Sequence, residues 1–253
     1  MILISNDDGI SAKGLDLLTR IALDYDHVMV AAPTTHQSGK SSSITFDHPI
    51  RAHLIEKTER LTRYAVSGTP ADCAKLALDQ LLEERPRLLL SGINHGYNSG
   101  NSSIYSGTVG VALEGVFHDV PALAFSYGSF DPKADMPECE PLIRHIIERT
   151  LEHGLPRGVC LNVNFPPLGE GGKYPGLKIT RSAAGKWVKE FEHRVDPHGR
   201  DYYWITGYYE NDEPDNTLND TYWLDRGWVS VTPIFADQTH YPSMPLIEEQ
   251  LKL

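Results

Sequence analysis

Ile2-Leu3-Ile4-Ser5-Asn6-Asp7-Asp8-Gly9 is a short apolar run that ends in two adjacent carboxylates and a glycine. It predicts a buried strand over Ile2–Ser5, and the pattern of elements beyond it sets the architecture. Ser11 to Tyr25 sets Leu15, Leu18, Ile21, Ala22 and Tyr25 on one helical face. His27–Ala32 and Arg63–Val66 are again strand-like. Thr69 then offers an N-cap, Pro70 a first helical position and Asp72 a first-turn acid, predicting a helix to about Glu84. Leu88–Leu90 predicts a strand, Ser91–Tyr105 a Gly/Asn/Ser-rich loop, and Ser106–His118 a helix. Strands over Ala122–Ser126 and Val159–Asn164 bracket a helix over Pro141–His153. Alternation of this kind predicts an α/β protein: a Rossmann-like, doubly wound, mostly parallel sheet in a three-layer α/β/α sandwich.

After Pro166-Pro167 the character changes. A Gly-rich turn at Gly169–Gly172 leads to β-type runs at Leu177–Arg181, Trp187–Glu192, Tyr202–Tyr209 and Trp228–Thr232, with no convincing helix until the last residues. The expected division is a catalytic core over 1–167 and a β-rich C-terminal extension over 168–253. Such an extension buries its own faces poorly and is expected to pack on the core or on another subunit.

Composition narrows the function. The chain has 253 residues, 40% hydrophobic and 23% charged, with a formal net charge of -11. Such acidity gives no drive toward a nucleic-acid backbone, yet allows a small phosphorylated substrate if a cation neutralises it locally. The three cysteines (Cys73, Cys139, Cys160) are scattered with no CxxC pair, which excludes a disulfide framework and a structural zinc site. The opening residues carry no signal-peptide pattern, and no apolar run approaches the roughly 20 residues of a membrane span. The expectation is a cytoplasmic protein.

Four segments carry candidate chemistry. Asp7 and Asp8 close the first strand, and in open α/β sheets ligands bind beyond the carboxyl ends of strands. Adjacent carboxylates repel unless a cation or proton lies between them, and all-oxygen ligation suits Mg²⁺ or Mn²⁺. A solvated turn or helix cap is the plain alternative. The second segment, Thr35–Ser43, contains Gly39-Lys40-Ser41 but is no P-loop, because Thr34 stands where a glycine is required. It offers the Ser38 hydroxyl and the Gly39 amide. Third, Ser91–Asn101 spaces Gly and Asn regularly, so Asn94 and Asn98 supply carbonyl oxygens and amide donors. Fourth, Ser106-Gly107-Thr108 opens a helix, a place for an anion or for simple capping by Ser106. His36 and His95 lie in these loops and are candidates to protonate a leaving oxygen.

Together these pieces resemble the stationary-phase survival protein SurE family of metal-dependent nucleotidases. The resemblance rests on ILISNDDG (2–9), QSGKSSSIT (37–45), VSGTPADCAKLAL (66–78), SGINHGYNSGN (91–101), YSGTVGVALEG (105–115), LNVNFP (161–166) and GWVSVTP (227–233). It implies a phosphatase for nucleoside 5′- and 3′-monophosphates, and for short polyphosphate, that uses one Mn²⁺ or Mg²⁺ per subunit. It implies Asp7, Asp8, Ser38 and Asn94 as metal ligands and a homodimer or homotetramer that exchanges the C-terminal extension. On that footing Gly39, Asn98, Ser106, Gly107 and Thr108 are expected around the phosphate, with Asp7 as a candidate base. Arg87 and Trp223 depart from the family pattern without touching the ligand set, and Lys40, inside the serine loop, departs from it at a place where it either contacts a phosphate or is simply solvated. Two other classes fit less well. A phospho-acceptor receiver domain lacks its acceptor Asp here, and an aspartyl-nucleophile phosphatase needs Asp-x-Asp, whereas Asp7 and Asp8 abut.

Overall fold

The computed structural model describes residues 1–168 and 172–251; apart from Gly172, the turn expected at Gly169–Gly172 lies outside them. The strands β1 (Ile2–Ser5), β2 (Val28–Pro33), β3 (Ala52–Lys57), β4 (Leu61–Val66), β5 (Leu88–His95), β6 (Ala122–Tyr127) and β7 (Val159–Phe165) share one nine-stranded sheet with β8 (Leu177–Ile179) and β13 (Val229–Phe235). The spatial order is β3-β4-β2-β1-β5-β6-β7-β13-β8. From β4 to β7 every pairing is parallel. β3 runs antiparallel to β4 and β13 antiparallel to β7. The sheet is therefore doubly wound and mostly parallel, as the alternation implies.

Side chains of a strand alternate between its faces, and both faces here are buried. Ile2, Ile4, Leu88 and Leu90 join the core beneath α1 (Lys13–Ala22) and α4 (Glu140–His153), with Leu15, Leu18, Ile143 and Ile147. Leu3 and Leu89 face the other way, packing with Cys73, Ala74, Val111 and Ala112 of α2 (Pro70–Leu76) and α3 (Gly107–Phe117). Gly14 lets α1 touch the sheet: a Cβ there would lie 2.1 Å from the Ile93 carbonyl oxygen.

Several boundaries differ from the sequence reading. The helix expected to reach Glu84 is α-helical only to Leu76 and continues as a π-helical turn over Ala77–Leu81. The strand expected over Leu88–Leu90 runs on to His95, because the Ser91–His95 backbone keeps pairing toward β6 past an irregularity between Ser91 and Asn94. β3 is unanticipated: it is an exposed edge strand without strong alternation. In the extension, Trp187–Glu192 divides into β9 (Gly185–Val188) and β10 (Phe191–Val195). Tyr202–Tyr209 divides into β11 (Asp201–Ile205) and β12 (Tyr208–Asn211). Lys189 and Gly207, both at positive φ, make the breaks. These strands form two separate two-stranded ribbons, β10-β11 and β12-β9. A short helix, α5 (Asp220–Leu224), occupies ground read as helix-free, and α6 (Met244–Leu251) ends the described chain. The 167/168 division does not coincide with a sheet boundary, since β8 and β13 belong to the central sheet. Among the described residues no helix is long and apolar enough to cross a membrane.

Candidate active site

β1 lies where the chain order reverses, between β2 and β5, and Asp7 and Asp8 leave its carboxyl end. Asn6 shapes this turn: its amide donates to the Gly9 carbonyl at 3.0 Å and its carbonyl accepts the Gly9 N–H at 3.2 Å. Gly9 adopts φ +100, which favours glycine.

Asp7 is 4% exposed and sits against the start of α3. A Cβ on Gly107 would stand 2.9 Å from the Asp7 Cβ, so glycine is what admits this approach. The Thr108 hydroxyl donates to Asp7 Oδ1 at 2.5 Å. Burial pushes the Asp7 carboxyl up to about 6, the Thr108 hydrogen bond opposes this, and the neighbouring Asp8 adds to it. Asp8 lies between two histidines, with His36 Nδ1 3.2 Å from Oδ1 and His95 Nδ1 3.1 Å from Oδ2. The His95 backbone N–H also donates to Asp8 Oδ2, at 3.0 Å. His36 Nε2 is 2.7 Å from Ser38 Oγ, and the Gln37 N–H donates to the Asp7 carbonyl at 2.8 Å. The serine loop is thereby tied to the acidic turn.

Asn94 is buried, and its amide nitrogen donates to the Gly96 carbonyl at 2.8 Å, which leaves its carbonyl oxygen without a partner among the described residues. Among those residues no Lys or Arg pairs with Asp7 or Asp8. No group of three His, Cys, Asp or Glu side chains is disposed for a metal either. The oxygen donors available are two carboxylates, the Ser38 hydroxyl and the Asn94 amide oxygen, a set whose chemistry suits a hard divalent cation.

Other expected residues are placed differently. Ser106 caps α3, its Oγ accepting the Val109 N–H at 3.1 Å, which leaves Gly107 and Thr108 in the first turn. Asn98 is locked inward: its amide donates to Ser126 Oγ at 2.8 Å, its N–H to Asn164 Oδ1 at 2.8 Å, and its carbonyl accepts from Asn162 at 2.7 Å. Gly39 is exposed at φ +70, with nothing within 4 Å of its missing Cβ. Sequence reasoning missed Asp220. This buried carboxylate accepts the Gly100 N–H at 2.7 Å and the Ala183 N–H at 3.0 Å, clamping the Asn/Gly loop to the extension. No signal in the sequence marks it, because Asp220 opens α5, a helix that local pattern does not announce.

A cleft of about 580 Å³ opens beside Asp8, between Ile10, Thr35, Ser38, His95 and Phe130. A larger hollow of about 910 Å³ lies elsewhere, by Tyr127, Glu138, Leu142 and Tyr174. Its tyrosine hydroxyls are already engaged, Tyr127 with Glu138 and Tyr174 with the Pro166 carbonyl, and none of the residues above line it.

Fold and site define a doubly wound α/β protein with a paired-carboxylate centre at the carboxyl edge of its sheet. The Survival protein SurE family matches residues 2–189, and the chain belongs to that family. The 5′-nucleotidase SurE of Phocaeicola vulgatus is 41% identical over 244 residues, covering 96% of this chain and 94% of the relative. That of Syntrophobacter fumaroxidans is 38% identical over 242 residues, covering 95% of each. The crystal structure of the SurE protein from Aquifex aeolicus matches with a TM-score of 0.83 and 33% identity over 99% of both chains.

Proposed function

We propose that this protein is a metal-dependent phosphomonoesterase that releases phosphate from nucleoside 5′-monophosphates, and also acts on 3′-monophosphates and short polyphosphate. One observation carries the reading: Asp7 and Asp8 are packed at a strand end with no Lys or Arg partner among the described residues, Asp7 directly against the first turn of α3 and Asp8 between two histidines. Relatives described as 5′-nucleotidases support the substrate class.

Asp7, Asp8, Ser38 and Asn94 would hold one Mn²⁺ or Mg²⁺. When bound, such an ion neutralises phosphoryl charge and lowers the pKa of water. The remaining work falls to the chain. Gly107 and Thr108, in the first turn of α3, receive phosphate oxygens through free N–H groups and the helix dipole. Thr108 donates to Asp7 Oδ1 and so orients the carboxylate, and the carboxylate oxygen left free of the metal takes the proton of the attacking water. Water bonds to phosphorus as the ester P–O bond breaks. The leaving oxygen takes its proton from His36, the more exposed of the two histidines that line the cleft.

The same reading makes 1–167 the catalytic core and 168–253 an extension through which copies associate as a cytoplasmic homodimer or homotetramer. Its support is the apolar surface that the extension leaves exposed: Phe191, Trp204 and Ile205 on the β10-β11 ribbon, Leu246 and Leu251 on α6.

The test is phosphate release from a panel of nucleoside monophosphates with EDTA, then with Mn²⁺, Mg²⁺ or Zn²⁺ restored. Loss with EDTA and recovery with Mn²⁺ is expected. Turnover indifferent to EDTA would remove the metal from the mechanism, and no turnover of any nucleotide would remove the function.

A further inference from the structure

We propose that the cleft beside Asp8 seats the nucleobase, with the ring of Phe130 as its stacking surface. The proposal rests on the phosphomonoesterase reading above and supplies what that reading lacks, a means of telling a nucleotide from any other phosphate ester.

Asp8, Ser38 and His95 line the cleft from the acidic turn, the serine loop and the end of β5, and Phe130 and Pro132 line it from the loop after β6. Its volume of about 580 Å³ falls within the roughly 300–1,000 Å³ typical of small-ligand sites. Ile10 and Ala12 add apolar wall from the turn before α1.

Phe130 is 83% exposed. Single exposed apolar side chains are ordinary on protein surfaces, so exposure alone says nothing. What distinguishes Phe130 is how it is held. Its ring lies on the backbone of Gly96, between Asn94 and Asn98: a Cβ at Gly96 would stand 2.6 Å from Phe130 Cε1 and 3.1 Å from Cδ1. Gly96 also has φ +110, so glycine is required there twice over. The loop behind the ring is built as well. Ser129 Oγ accepts the Asp131 N–H at 3.2 Å, Asp131 Oδ1 accepts the Lys133 N–H at 2.9 Å, and Lys13 of α1 donates to the Lys133 carbonyl at 2.9 Å. An aromatic ring is therefore braced against the loop of candidate ligands while most of its surface remains open. Planar bases stack on such rings with little regard to their identity. A base placed there would project from a phosphate at the mouth of α3, and purines and pyrimidines would both be accepted.

The test compares wild type, Phe130→Ala and Phe130→Tyr on adenosine monophosphate and on glycerol phosphate, a phosphomonoester with no base. Calorimetric titration with adenosine is run alongside. In Phe130→Ala the ratio of kcat/KM for the nucleotide to that for glycerol phosphate is expected to fall about tenfold, mainly through KM, and adenosine binding is lost. Phe130→Tyr, which keeps the ring, retains both. An unchanged ratio, or both esters falling together, overturns the proposal while leaving the phosphomonoesterase reading intact. If wild type hydrolyses neither ester, that reading fails and the titration decides the cleft alone: adenosine bound equally by wild type and Phe130→Ala, or by neither, overturns it.

Discussion

Asp7 shows how one position serves function against stability. Its carboxyl, ordinarily near 3.8, is pushed to about 6 because burial disfavours the charge, with Asp8 alongside. Its proton is thus held more tightly in the fold than in the unfolded chain. The stability this gives is present below about pH 4 and lost as pH climbs through 6, a difference on the order of 3 kcal/mol. Asp7→Asn keeps an acceptor for Thr108 and carries no charge. In metal-free protein, the melting temperature of the variant should draw level with wild type near pH 4 and exceed it above pH 6, while turnover is abolished. Excess Mn²⁺ should raise wild type and leave the variant unmoved. A pH-independent gap between the two melting curves would refute the buried-carboxylate account.

At the scale of elements, α2 is the best-specified helix. Thr69 Oγ1 accepts the Asp72 N–H at 3.1 Å and Asp72 Oδ2 accepts the Thr69 N–H at 2.9 Å, a reciprocal cap that Thr69-Pro70-Ala71-Asp72 announces in sequence. Asp72 also accepts from the Thr45 hydroxyl at 2.6 Å and the Thr45 N–H at 3.1 Å, tying down the end of the serine loop. Thr69→Ala should lower stability by about 1 kcal/mol. Thr69→Ala also releases the Ser43 carbonyl at the same loop, whereas Asp72→Ala releases both contacts from Thr45 and should lower stability further. Urea denaturation measures both, and equal losses would show that the two Thr45 contacts contribute no more than the one to Ser43. The Asn/Gly segment behaves in the opposite way. Its composition reads as loop, yet Ser91–His95 continues β5, because a parallel neighbour completes backbone hydrogen bonds that local preference does not foresee.

Across the whole molecule, the extension is half scaffold and half projection. β13 pairs with β7 from Ser230↔Asn164 to Phe235↔Val159 and buries Val229 and Val231 in the main core. A chain ended at residue 167 loses that strand and exposes the β7 edge and the apolar side chains beneath it. It should not unfold cooperatively on heating, which circular dichroism and calorimetry would reveal. A sharp transition in the truncated chain would make 1–167 an autonomous unit. The two ribbons are different, since among the described residues they make no strand pairing with the central sheet.

The alternation from Ile2 to Asn164 was enough to specify the doubly wound sheet, because period-2 and period-3.6 apolar patterns leave few other ways to bury both faces. The acidic pair and the Asn94 and Ser38 loops were legible for a related reason: carboxylates and glycines at strand ends leave few other roles. Three features emerged only in three dimensions. Asp8 is braced by His36 from the serine loop and His95 from the end of β5, about sixty residues apart in the chain; Asp220 clamps the Asn/Gly loop from the far end of the sequence. β8 and β13 complete the central sheet although they belong to the segment that reads as an appendage. In each case long-range packing and buried hydrogen bonds decide the partner, and neither spacing nor composition within a local window encodes them.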